Sequence, residues 1–251
     1  VITCARGNSN AAGAFQPQGE RNPCARRGIC CSCIGFPGGM TMMEPNVLLD
    51  FDHVSMCYHD ESGETEVLRD FSMQVKPGEF VALLGPSGCG KSTVVNLLTG
   101  ALRPQSGRVM LGGASMESLS RESYYAHLAV VSCGSHIFND IVRANFRLAN
   151  AAVTDEAIWA ALETVNLASF VRENGGLDKV IAEDAANLSG GQKQRLALAV
   201  NLTAERDIYI LDEATSNIDI ESEEIIMKAV AALAKEKAVI LISHRLANVV
   251  P

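Results

Sequence analysis

The first 46 of the 251 residues contain no leucine. They show neither helical nor strand periodicity, and seven of the 21 glycines and four of the eight prolines fall among them, punctuating the stretch every few residues. They also lack the continuous apolar core of a secretory signal. Nowhere does the chain approach the run of ~18 apolar residues that a membrane-spanning helix needs. Positive charge is scarce: 21 Lys and Arg face 29 Asp and Glu, a net of −8. The first 46 residues carry four Arg and two Glu, so the remaining 205 carry a net of −10. That balance is a poor match for a nucleic-acid backbone, so no nucleic-acid partner is expected. The three cysteines of this body, Cys57, Cys89 and Cys133, are scattered. Scattered cysteines fit a reduced compartment, not a disulfide framework.

What the first 46 residues do hold is cysteine, five of the eight. The cluster Cys24, Cys30, Cys31, Cys33 invites a metal-site reading. Against it, no histidine lies nearby and the spacing does not give two separated Cys-x-x-Cys knuckles. Residues 1–46 are therefore read as a disordered or artefactual leader, with Met40, Met42 or Met43 as candidate starts, and residues 47–251 as the domain.

The body alternates. Residues 47–58 and 66–75 read as strands, alternating apolar and polar. Phe80–Leu84 is a short apolar run, as in a buried strand. Helical spacing follows over 91–100, 140–173, 191–205 and about 221–235. Further strands are expected at Arg108–Leu111, Leu128–Ser132, Asp207–Leu211 and Ala238–Ile242. Strands alternating with helices indicate an α/β fold with a mainly parallel sheet. The helical stretch of about 140–190 interrupts the alternation and reads as a subdomain.

Three sites carry chemistry. Gly85-Pro86-Ser87-Gly88-Cys89-Gly90-Lys91-Ser92 fits G-x-x-x-x-G-K-[ST], after a strand and before a helix, with Thr93 next in that helix. Its glycines let backbone N–H groups converge on a phosphate, and the helix dipole points at the same anion. Lys91 would reach the β- and γ-phosphates, and Ser92 would ligate Mg²⁺. Ile208–Leu211 is an apolar strand ending in Asp212 and Glu213. Asp212 would hold Mg²⁺, and Glu213 would act as general base on water. Leu188-Ser189-Gly190-Gly191-Gln192 opens a helix and makes a second anion site, from hydroxyl, N–H groups and dipole together.

Here the sequence resembles the nucleotide-binding domain of ABC transporters, whose signature is that pentapeptide. The resemblance covers about residues 47–251, with the motifs in the family's order. It implies a P-loop NTPase fold with an antiparallel β subdomain on the N-terminal side and an α-helical subdomain carrying LSGGQ. It implies ATP and Mg²⁺ as ligands, ATPase activity coupled to transport, and a location on the cytoplasmic face of the membrane. Two domains would pair head to tail, as a homo- or heterodimer. ATP on Lys91, Ser92, Asp212 and Tyr58 of one would be covered by Ser189–Gln192 of the other, and a transmembrane domain would be a further partner. By the same resemblance, Tyr58 stacks on adenine and His244 is the switch histidine at the γ-phosphate. Ser216-Asn217-Ile218-Asp219 would cross the dimer interface, and Glu183 would meet the membrane domain. The run after Asp212 and the segment 136–145 look most like exporter-type half-transporters.

Three positions depart from the family pattern. Cys133 stands where the family has a glutamine, and a thiol is a poor ligand for a hard cation. Val200 stands where an arginine is usual. The chain ends at Pro251, soon after His244, so the C-terminal strands and helix of the family are expected to be missing. Two alternatives follow: an ABC ATPase without transport, and a degenerate domain that binds ATP with little turnover.

Overall fold

The computed structural model describes residues 3–7, 47–60, 63–132, 134–216 and 218–243. Its centre is a five-stranded sheet in the order β1(Thr3–Gly7), β4(Phe80–Leu84), β9(Ala238–Ser243), β8(Ile208–Asp212), β7(Leu128–Ser132). β4, β9, β8 and β7 run parallel, and β1 pairs antiparallel with β4. A second, antiparallel sheet has the order β3(Gly63–Val75), β2(Leu49–Asp60), β5(Ser106–Leu111), β6(Ala114–Ser115). The α/β fold with a parallel core and an antiparallel subdomain is thus as expected.

β8 and β9 show why the apolar runs make central strands. Successive side chains point to opposite faces, so both faces must find cover. Ile208, Ile210, Ile240 and Ile242 pack with α1(Lys91–Leu98) and the antiparallel sheet. Tyr209, Leu211, Val239 and Leu241 pack on the other side, against the helical half of the molecule. All eight are essentially buried.

The helical half differs from the sequence expectation in its breaks. The spacing over 140–173 resolves into α3(Val142–Ala149), α4(Asp155–Thr164) and α5(Ala168–Glu173). Asn150 closes α3 with an extended backbone, its side-chain amide donating to the Thr203 carbonyl and accepting from Ala152 N–H. Thr154 then caps α4 by accepting from Ala157 N–H. Asn166, with φ of 52°, turns the chain between α4 and α5. Asparagine tolerates that left-handed turn better than most residues. These helices surround α6(Gly190–Leu202), and α7(Ile220–Leu233) follows β8.

β1 falls inside the stretch read as a leader. Its five residues give β4 a partner on the side away from β9. The cluster Cys24–Cys33 lies outside the described residues.

Candidate functional site

The parallel strands end level with one another. Leu84 is in register with Ser243, Ile242 with Asp212, and Asp212 with Ser132. Whatever follows β4, β9, β8 and β7 therefore meets in one crevice at the carboxyl edge, where open α/β sheets bind ligands.

From β4 the chain enters the glycine-rich loop. Gly90 is the cap residue of α1, with φ of 101°, and no side chain caps the helix. A β-carbon there would press on the Val67 carbonyl and the Leu68 side chain, so both space and backbone call for glycine. The first N–H groups of α1 are thus left without a side-chain acceptor, which suits an anion. Lys91 is buried, at 5% exposure. Its ammonium turns back into the loop and donates to the carbonyls of Gly85 (2.5 Å) and Pro86 (2.9 Å), with Cys89 Sγ 3.6 Å away. Pro86, Ser87, Gly88 and Ser92 are exposed, open to an incoming phosphate and its cation.

Tyr58, near the end of β2, is 39% exposed and leans on the buried Thr93 of α1, hydroxyl to hydroxyl at 3.3 Å. The antiparallel sheet thereby presents an aromatic ring beside the loop that would hold the phosphates.

β8 delivers Asp212 and Glu213. Burial pushes the Asp212 carboxyl above its ordinary range, the Glu213 charge adds to this, and the Lys91 ammonium opposes it. Glu213 sits at φ of 51°, a left-handed conformation rare for a residue with a side chain. Its N–H donates to the Ile242 carbonyl of β9 at 3.0 Å, fixing the turn. Two carboxylates thus crowd one edge beside one cation, an arrangement that a further cation would relieve. Mg²⁺ keeps several waters and asks for one or two protein oxygens beside a phosphate, so Asp212 and Ser92 fit it. Among the described residues no cluster of three His, Cys, Asp or Glu could hold a metal ion.

The third site stands apart. Ser189 caps α6 by accepting from Gln192 N–H at 3.2 Å, and Gln192 Oε1 accepts from Ser189 N–H at 2.9 Å, a reciprocal capping box. Ser189 and Gly190 are exposed. Among the described residues no hydrogen bond joins Ser189–Gln192 to the phosphate loop.

Comparison with known proteins decides what this combination is. The family described as ABC transporter matches residues 68–216, more than half of the chain. The chain belongs to the ABC transporter family. An uncharacterised ABC transporter ATP-binding protein of Haemophilus influenzae is 43% identical over 205 residues, 82% of this chain and 36% of that protein. An ATP-dependent lipid A-core flippase of Burkholderia pseudomallei is 38% identical over 213 residues, 84% of this chain and 36% of the flippase. A solved bacterial Atm1-family ABC exporter with ATP bound is similar with a TM-score of 0.72 and 31% identity, over 83% of this chain and 36% of that one. The chain therefore spans about a third of the length of these relatives.

Within the ABC frame, several expected positions lie outside the described residues: Cys133, His244 and Asn217. β9 ends at the buried Ser243, in register with Leu84. Val200, in place of the usual arginine, is partly buried against the helical-side core. Glu183 is exposed.

Sequence reasoning missed two features of the ABC signature region. Gly191 was read as part of an anion site, but a β-carbon there would overlap the Ser222 hydroxyl and the Asp219 carboxylate at the start of α7. Asp219 caps α7 by accepting from Ser222 N–H at 3.0 Å, and the Ser222 hydroxyl, with this backbone N–H, holds its carboxyl below the usual range. Gln194 was not singled out at all. It is 95% buried and donates to the Ser132 carbonyl at 2.9 Å. The available signal was its place three residues after Gly191 and four before Leu198, a polar residue on a core stripe.

Proposed function

We propose that this chain is the ATP-binding and ATP-hydrolysing domain of an exporter-type ABC transporter, on the cytoplasmic face of a membrane. The observation that carries the reading is the pairing of an uncapped phosphate loop and two carboxylates at one sheet edge with a separate, exposed anion site on α6. One chain so built has two unlike halves of a nucleotide site. Two copies, or two related chains, complete both sites by pairing head to tail.

In that arrangement Lys91 leaves its loop carbonyls for the β- and γ-phosphates, and the N–H groups of α1 receive the phosphate oxygens. Tyr58 stacks on adenine, a contact worth roughly 1–3 kcal/mol. Ser189 and Gly190 of the partner domain cover the γ-phosphate. Glu213 accepts a proton from the attacking water. Ser92 and Asp212 would hold Mg²⁺, which when bound would supply positive charge to the phosphates. His244 donates to the γ-phosphate from the end of β9. Loss of the γ-phosphate removes what the two domains share, and the pair loosens. The motion is handed to a transmembrane domain of the transporter. The flippase and exporter relatives support this reading.

The test is ATPase activity of the wild type beside Glu213→Gln. Turnover in the wild type, lost in the variant with binding kept, is the expected result. Cys133 supports a second reading, a domain that binds ATP without turnover. Equal inactivity of both proteins with normal ATP binding would favour it.

A further inference from the structure

We propose that Gln105 is a positioning residue for Tyr58: its side-chain amide stands in for a neighbouring strand that stops short, and so holds the end of β2 where the tyrosine ring meets the adenine base. The inference rests on the ATP-binding reading above.

β2 outruns one of its two neighbours. Its pairing with β3 continues to Asp60, opposite Gly63, but its pairing with β5 stops at Ser55, opposite Ser106. Tyr58 lies beyond that stop, where the sheet is only two strands wide. A two-stranded ribbon has little stability of its own.

Gln105, the residue before β5, fills the gap. Its backbone N–H donates to the Ser55 carbonyl at 3.1 Å. Its side-chain Oε1 accepts from the Cys57 N–H at 2.8 Å, and its Nε2 donates to the Cys57 carbonyl at 3.2 Å. One amide thus meets both backbone polar groups of a single residue, as the facing residue of an antiparallel strand does. The approach is close because Gly107, two residues on, lies against the Asp52 and His53 carbonyls, where a β-carbon would overlap both.

Tyr58 is therefore held at two places. Gln105 fixes the main chain at Cys57, directly before it, and Thr93 of α1 meets its hydroxyl at 3.3 Å. A ring already in place has less freedom to lose when a base stacks on it, so more of the stacking energy appears as affinity. Gln105 is exposed, so without its amide the Cys57 backbone groups turn to water and the fold survives.

The experiment compares four versions of the full chain: wild type, Gln105→Met, Tyr58→Ala and the double variant. Calorimetric titration reads affinity for MgATP and for inorganic tripolyphosphate, which carries the phosphates without the base. Thermal melting reads the fold. Gln105→Met is expected to keep Tm and tripolyphosphate affinity while ATP affinity falls roughly tenfold, the worth of one to two hydrogen bonds. In the Tyr58→Ala background the same substitution is expected to cost nothing further, because no ring is left to position. Unchanged ATP affinity in Gln105→Met, beside a weakened Tyr58→Ala, overturns this inference alone. So does an equal fall for ATP and tripolyphosphate, or additive losses in the double variant, either of which marks a general defect of the sheet. A wild type that binds no ATP, or a Tyr58→Ala that binds it as the wild type does, overturns the adenine-stacking reading and this inference with it.

Discussion

The two helix N-termini of this chain use one physical device in opposite ways. α1 starts at Gly90, with no side-chain cap, and an ammonium stands ready inside the loop. α6 starts at Ser189 with a complete capping box, and Lys193 in its first turn donates to the Asp184 carbonyl of the preceding loop. Free N–H groups beside a cation bind an anion strongly and locally. A self-satisfied N-terminus does not, until an anion arrives that outcompetes its own side chains. The contrast fits one site that holds ATP and one that recognises ATP already held by another domain. The backbones differ as well. The loop site owes its shape to positive-φ glycine at Gly90, whereas the second glycine of the signature is required by close packing on Ser222.

The largest blow to the contrast comes on the loop side. Glu213→Gln removes the proposed general base, and turnover is expected to fall by roughly 10²–10⁴-fold while ATP still binds; single-turnover hydrolysis beside a filter-binding assay reads both. Gly191→Ala strikes the signature side. Forcing a methyl against Ser222 costs roughly 1–3 kcal/mol and tilts the start of α6. Dimerisation and ATPase activity drop together, while nucleotide affinity of the unpaired chain is retained, as titration with a fluorescent analogue will report.

Asp212→Asn separates stability from function. The Asp212 carboxyl is held above its ordinary range by burial, so the folded state disfavours the charged form. The stability it contributes is present when it is protonated and is lost as pH rises through the folded value. The variant therefore melts higher than wild type at neutral pH, an advantage that fades in acid, yet fails to bind nucleotide in a Mg²⁺-dependent way. Thermal melts from acid to neutral pH, with and without MgATP, decide this. Smallest is Ser189→Ala, which opens the capping box and lowers stability by about 1 kcal/mol. A chemical-denaturation midpoint measures that, and under the proposed head-to-tail pairing dimerisation weakens further than the fold does, because the hydroxyl would also meet the partner's nucleotide.

How far the sequence reaches differs from place to place. Gly85–Ser92 and the run ending in Asp212 and Glu213 were legible because each site is contiguous and its neighbours announce a strand or a helix. Asn150 and Asn166 were not legible as helix ends, because helical spacing runs on through both and only their backbone angles and distant partners break it. The role of Gly191 was half legible. Its permissive backbone can be read from its type, but the crowding by α7 comes from a residue 31 positions away. Gln194 gave only the weak signal of a polar residue on a buried stripe, and its partner sits 62 residues earlier.

By itself, then, the sequence determined which residue types stand, at fixed spacing, where a phosphate, a cation and a water would be held at the end of a parallel sheet. It also determined the family. Only the tertiary structure decided that Gln194 of the signature helix meets the Ser132 carbonyl at the end of β7, and that Gly191 packs on the start of α7. Contacts of that kind depend on which strand ends lie side by side. Strand order is set by packing two apolar faces at once, which no local run of residues records.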